Sequence, residues 1–121
     1  VMGRSNIVGK PMAQMLTHAD CSVTLLHSKS KNRERHLEEA ELIVVAIGQP
    51  ENVKIDELSN GQVVIDVGIH PGPDGKLVGD VEKGAEEKVR ITPVPGGVGP
   101  LTVAQLMKNC VIAWKNHTGQ E

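Results

Sequence analysis

Phenylalanine and tyrosine are absent, and Trp114 is the only aromatic side chain among 121 residues. The core must therefore be aliphatic, and there is no ring platform on which single-stranded bases could stack. An excess of positive charge is lacking too. The net charge is −2, so no basic field recruits nucleic acid. No apolar run approaches membrane-spanning length, and no signal peptide is visible. Cys21 and Cys110 are far apart and fit neither a disulfide framework nor a metal motif. They read as buried free thiols of a protein kept in a reducing cytoplasm. No Ser/His/Asp or Cys/His spacing marks a nucleophile, and no His/Cys/Asp cluster suggests a metal. The chain offers no evident general acid or base.

What is present is alternation, at a length that suits one domain. Val1-Met2 is a short apolar pair that reads as part of a strand, and its abrupt start suggests a fragment of a longer polypeptide. A helix is predicted from Val8 to Ala19, a strand over Ser22–His27, a short charged helix over Arg33–Ala40 and a continuously apolar strand over Leu42–Ile47. A helical turn at Lys54–Leu58 precedes a strand at Val63–Val67. Gly68–Gly79, dense in turn residues, reads as a β-hairpin or Ω-like excursion. A weak helix over Val81–Lys88, a strand over Val89–Thr92 and an irregular stretch from Pro93 to Pro100 follow. The last helix is expected from Pro100 to Lys115, with Val103, Leu106, Met107, Cys110 and Trp114 on one face, and the tail from Asn116 should fray. Continuously apolar strands alternating with helices predict a Rossmann-like, doubly wound α/β fold: a mainly parallel sheet with helices on both faces.

Ligands of such sheets bind beyond the carboxyl ends of the strands, near the switch point. The first loop there is Gly3-Arg4-Ser5-Asn6-Ile7-Val8-Gly9-Lys10-Pro11. Strand, tight polar turn and helix in this order suit a phosphate, although a capped turn without a ligand would read the same way. Ser5 or Asn6 can cap the helix, and Pro11 suits its first turn. The G-x-G-x-x-G fingerprint would need glycines at 3, 5 and 8, whereas the chain has Gly3, Ser5, Val8 and Gly9.

The second loop carries specificity. An NAD site usually has a carboxylate after the second strand, bonded to the ribose 2′-hydroxyl. Here the place holds His27-Ser28-Lys29, then Lys31, Arg33 and Arg35. With Arg4 reaching across, this favours a 2′-phosphate and hence NADP, against the plainer reading of a solvated basic helix start. In the fourth loop, Ile69 could wall a nicotinamide ring, Asp66 reads as structural and His70 as a surface turn residue. His27 has a place near adenosine. The fifth loop, Pro95 to Thr102, holds three glycines between prolines, a rigid path that would press backbone against a flat ligand.

Five blocks occur in order: Gly3-Arg4-Ser5-x-Ile7-Val8-Gly9-x-Pro11, His27-Ser28, Val64 to Ile69, Gly75-Lys76-Leu77-x-Gly79-Asp80-Val81, and Thr92 to Pro100 followed by x-Thr102. Over essentially its whole length the chain resembles the bifunctional methylenetetrahydrofolate dehydrogenase/methenyltetrahydrofolate cyclohydrolase family. The likeness is to the second of that family's two domains, the NADP-binding one. It implies that Gly3, Arg4 and Ser5 hold the cofactor phosphates, with Arg4 and Ser28 near the 2′-phosphate. It places Ile69 at the nicotinamide end, and Pro95, Gly96, Gly97 and Val98 in a cleft facing folate. The family's catalytic lysine and tyrosine and its folate-gripping aspartate belong to the other domain, so no catalytic residue is expected here. The resemblance further implies a cytoplasmic homodimer, and the Ile69–Val78 hairpin is a candidate dimer contact. Three departures stand out: His70 for the usual Asn, Leu101 for Met, and Ala46-Ile47-Gly48 for Ala-Thr-Gly. The rival readings are another oxidoreductase with a similar sheet, such as a shikimate dehydrogenase, and a free-standing nucleotide-sensing module.

Overall fold

The computed structural model describes residues 1–120. Its helices are α1 (Gly9–His18), α2 (Arg33–Glu38) and α3 (Val98–Thr118). Its strands are β1 (Leu42–Val45), β2 (Val63–Asp66), β3 (His70–Pro71), β4 (Leu77–Val78) and β5 (Arg90–Ile91). β1, β2 and β5 form a parallel sheet in that order, with Val44 opposite Ile65 and Val64 opposite Ile91. Met2 extends it through parallel bridges to Val45 and to Leu26. The first segment thus lies between the second and third, and the switch point falls between Met2 and β1.

β1 and β2 form because their residues, Asp66 apart, are apolar and mostly β-branched, and their inner positions are covered. The core is aliphatic: Met2, Leu26, Leu37, Ile43, Val45, Val53, Leu58, Val64, Val81, Ala85 and Val89 pack as one cluster. Gln62 ties α2 to the start of β2. Its amide donates to the Leu37 and Ala40 carbonyls at 2.6 and 2.7 Å, and its oxygen accepts the Ser59 N–H at 2.7 Å. A buried amide with these three partners is satisfied rather than costly.

The predicted hairpin is present, as β3 paired antiparallel with β4. Other expectations need correcting. Ser22–His27 is not a regular strand. Only Leu26 bridges, to Met2, and its N–H donates to the Val1 carbonyl at 2.8 Å. The apolar run at Leu42 stops pairing at Val45, since the Ile47 and Gly48 amides turn to a side chain instead. The weak helix at Val81–Lys88 is reduced to a single 3-10 turn at Ala85–Glu87, because Val81 bridges to Val53. α3 begins inside the supposed irregular stretch and runs past Asn116 to Thr118. Its end is closed by left-handed Gly119, so the tail does not fray at Asn116.

One burial expectation also fails. Cys21 and Cys110 are exposed. The apolar face of α3 is uncovered: Val103, Leu106, Met107 and Trp114 all have more than half their surface in solvent. α3 is held by its own backbone and capped, yet no residue of it is buried.

Candidate functional site

A cleft of about 480 Å³ opens at the switch point. Gly3, Arg4 and Ser5 line one wall, His27, Ser28, Ser30 and Arg33 another, and Ala46, Ile47, Gln49 and Asn52 a third. No carboxylate lines it.

The first wall is built by close packing. Gly3 has φ +106°, and a Cβ there would strike the Ala46 carbonyl, so the turn can press against the end of β1 only as glycine. A Cβ on Gly9 would strike the Gly3 carbonyl, so α1 likewise sits directly on the turn. Ser5 closes the turn as expected. Its Oγ accepts the N–H groups of Val8 and Gly9 at 3.1 and 3.2 Å, leaving its own O–H free to donate. Among the described residues, the N–H groups of Arg4, Ser5, Asn6 and Ile7 have no protein acceptor. These donors, ahead of the positive end of a ten-residue helix, make an anion cradle. The Arg4 guanidinium is exposed and has no ion-pair partner among the described residues.

The second wall is a tight turn. Ser30 Oγ accepts the His27 N–H at 3.0 Å, and His27 Nδ1 accepts the Lys29 N–H at 3.1 Å. Ser28 is left exposed at the tip. Arg33 is a cleft residue that the sequence did not single out as a ligand. It donates to Asn52 Oδ1 and Glu57 Oε2, each at 2.9 Å, so its charge is partly matched. The basic run at Lys31, Arg33 and Arg35 was its only signal.

The third wall hangs on Asp80, which sequence reasoning quoted only as part of a motif. Its carboxylate accepts the N–H groups of Ile47, Gly48 and Gln49 at 2.7, 2.9 and 2.9 Å. Asp66 accepts the N–H groups of Gly68, Asp80 and Val81 at 2.9, 3.0 and 3.0 Å, the structural role expected of it. Burial pushes the Asp66 carboxyl above its ordinary value, against the opposing pull of those N–H groups. His70 is no surface turn residue: its side chain is 19% exposed and bonds Asp80.

The structure brings Gly3, Arg4, Ser5 and Ser28 together in one cleft and does not bring Ile69, Pro95, Gly96, Gly97 or Val98 into it. Ile69 is 59% exposed beyond β2, and Pro95, Gly96 and Gly97 lie in the loop after β5, with Val98 opening α3. Free amide donors, an unpaired guanidinium and the lack of a carboxylate fit a phosphorylated ribose.

Comparison with known proteins bears on the same chain. The family model for the tetrahydrofolate dehydrogenase/cyclohydrolase NAD(P)-binding domain matches residues 1–118. The bifunctional protein FolD of Campylobacter hominis is 53% identical over 118 residues, covering 96% of this chain and 42% of that protein. FolD 2 of Myxococcus xanthus is 57% identical over 115 residues, covering 93% of this chain and 40% of that one. The crystal structure of FolD from Campylobacter jejuni superposes with a TM-score of 0.91 at 45% identity, over 96% of this chain and 42% of that one. The Trypanosoma brucei enzyme, complexed with NADP cofactor and an inhibitor, gives 0.86 at 37% identity, over 97% and 43%. The chain thus spans about two fifths of the length of the relatives it matches.

Proposed function

Because the chain belongs to the tetrahydrofolate dehydrogenase/cyclohydrolase family, as its NAD(P)-binding domain, we propose that it is the NADP-holding part of a bifunctional folate enzyme. That enzyme oxidises 5,10-methylenetetrahydrofolate and hydrolyses the product to 10-formyltetrahydrofolate, supplying one-carbon units, purine synthesis among their uses. The observation that carries this reading is the switch-point cleft lined by Arg4, Ser5 and Ser28 and by no carboxylate. An Asp or Glu there would accept a ribose hydroxyl but repel a 2′-phosphate, whereas a guanidinium and a serine hydroxyl both donate to one.

The free N–H groups from Arg4 to Ile7 would hold the pyrophosphate, and Arg4 and Ser28 the 2′-phosphate. When bound, NADP⁺ supplies a hydride acceptor. Ile69 would wall the nicotinamide end, and Pro95, Gly96, Gly97 and Val98 would face the folate. Loss of hydride from the methylene carbon leaves a cation shared by two nitrogens, and no proton need move. Positioning then dominates, which is work a domain without an acid or base can do. Attack of water on that cation does need proton handling, which we assign to the other domain. The uncovered apolar face of α3 supports this division, since Val103, Leu106, Met107 and Trp114 have no partner within the described residues. We assign that face to packing against the rest of the enzyme. We further propose a cytoplasmic homodimer, with the β3–β4 hairpin at the contact.

The test is direct. The 121-residue chain should bind NADP⁺ by calorimetry more tightly than NAD⁺, and show no dehydrogenase turnover. Turnover without another domain would sink the division of labour.

A further inference from the structure

His70 has no part in the cofactor contacts just assigned, yet it is held firmly. Its Nε2 lies 2.7 Å from Asp80 Oδ1. Asp80 has no exposed surface. Its Oδ2 takes the Ile47 and Gly48 N–H groups, and its Oδ1 takes that of Gln49 together with His70. A carboxylate has about four lone-pair sites, and here each is filled. The Asp80 N–H is itself fixed by Asp66 at 3.0 Å, so the backbone under the carboxylate is pinned. What remains free is rotation of the side chain, and His70 is the only side-chain donor that opposes it among the described residues. Ile47 and Gln49, at the far end of these bonds, line the cofactor cleft. His70 itself belongs to β3, in register with Val78 across the hairpin.

We propose that His70 is a positioning residue of the cofactor cleft: its Nε2–H fixes the Asp80 carboxylate that sets the Ile47–Gln49 backbone against the nucleotide. The hairpin is thereby wired to the cleft through two side chains. An ionised Asp80 can only accept, so the ring must carry its proton on Nε2. Removing that donor leaves one lone pair of a fully buried carboxylate empty. The side chain can then turn, and three loop amides turn with it.

The identity of the nucleotide rests on the function proposed above; the wiring does not, and two readouts keep them apart. The first is amide hydrogen exchange of the intact, cofactor-free enzyme, read over residues 46–50. His70→Ala should speed exchange there by about tenfold or more while leaving β2 protected. The second is the affinity for NADP⁺, which the same variant should weaken by about tenfold, or about 1.4 kcal/mol. His70→Gln, whose amide nitrogen reaches about as far as Nε2, should restore both to within about threefold of the parent. Unchanged exchange at 46–50 in His70→Ala overturns the proposal. So does faster exchange with unaltered affinity, or a glutamine variant as poor as the alanine one. If the parent enzyme fails to bind NADP⁺, the proposed function falls, and the exchange arm alone decides the role of His70.

Discussion

The loops at the carboxyl edge of the sheet and the helix α3 are held in opposite ways. In the loops, where no ladder runs, buried carboxylates gather the backbone: Asp80 holds Ile47 to Gln49, and Asp66 holds Gly68, Asp80 and Val81. Few atoms are involved, and none is spare. α3 satisfies its own backbone over 21 residues and ends on a left-handed Gly119, yet not one of its residues is buried. Backbone hydrogen bonding is enough to make a helix, but it does not place one. Placement takes side-chain partners, and the loops have them while the helix does not.

Breaking the loop side of this contrast should have the largest effect. Asp80→Ala strands three partly buried N–H groups and His70 at once, and should lower unfolding free energy by about 3–5 kcal/mol. Urea titration followed by circular dichroism measures this. A loss below about 1 kcal/mol would mean that the carboxylate is not what holds the third wall. Next in size is Arg4→Ala, an exposed side chain at the same edge. It should weaken NADP⁺ by about 1–3 kcal/mol while hardly changing NAD⁺, and leave the urea midpoint where it was. Equal losses for both nucleotides in calorimetry would refute the 2′-phosphate role.

How much of this could be read from the residues depends on where the information sits. The apolar runs at Leu42 and Val63 declared β1 and β2, because being covered on both faces leaves a local pattern. The cradle at Gly3–Gly9 was legible for the same reason: turn, cap and helix start are neighbours in the chain. Asp80 was not, since its three loop partners lie more than thirty positions upstream, and nothing in Gly79-Asp80-Val81 names them. Arg33 was read only as one member of a basic run, because Asn52 and Glu57, which hold it at the cleft, lie 19 and 24 positions downstream. α3 failed in the other direction. Its apolar stripe was legible from the spacing, but the spacing does not say what covers it, and among the described residues the stripe lies uncovered.

Acid sharpens the loop side without breaking a bond, so its effect should be smaller. Burial raises the Asp66 carboxyl above its ordinary value, so the folded chain holds that proton more tightly than the unfolded one. Stability from this group is therefore full below the unfolded carboxylate value and is lost as pH rises through the folded one. Glu39, held by Arg35, and Glu82, held by the Ile55 N–H, are lowered and run the opposite way. Their contributions are present above the unfolded value and fade as pH falls. The parent's curve mixes these signs, but its difference from Asp66→Asn isolates one. That difference, taken from urea midpoints between about pH 7 and pH 4, should widen on acidification. A gap that narrows would reverse the sign given to Asp66.

The smallest effect is expected on α3, and its smallness is what makes it informative. Leu106→Ser and Trp114→Ser remove apolar groups that are already in water, so each should change the stability of the 121-residue chain by less than about 0.5 kcal/mol. Ile43→Ala in the core, by contrast, should cost about 2–5 kcal/mol. The fluorescence of Trp114, the only tryptophan, should be freely quenched by iodide. In the whole enzyme the same two serines should become destabilising and the quenching should fall, because the burial that α3 lacks would be supplied there. If Trp114 were equally quenchable in both, the stripe would have no partner in the enzyme, and the helix would have to be explained without one.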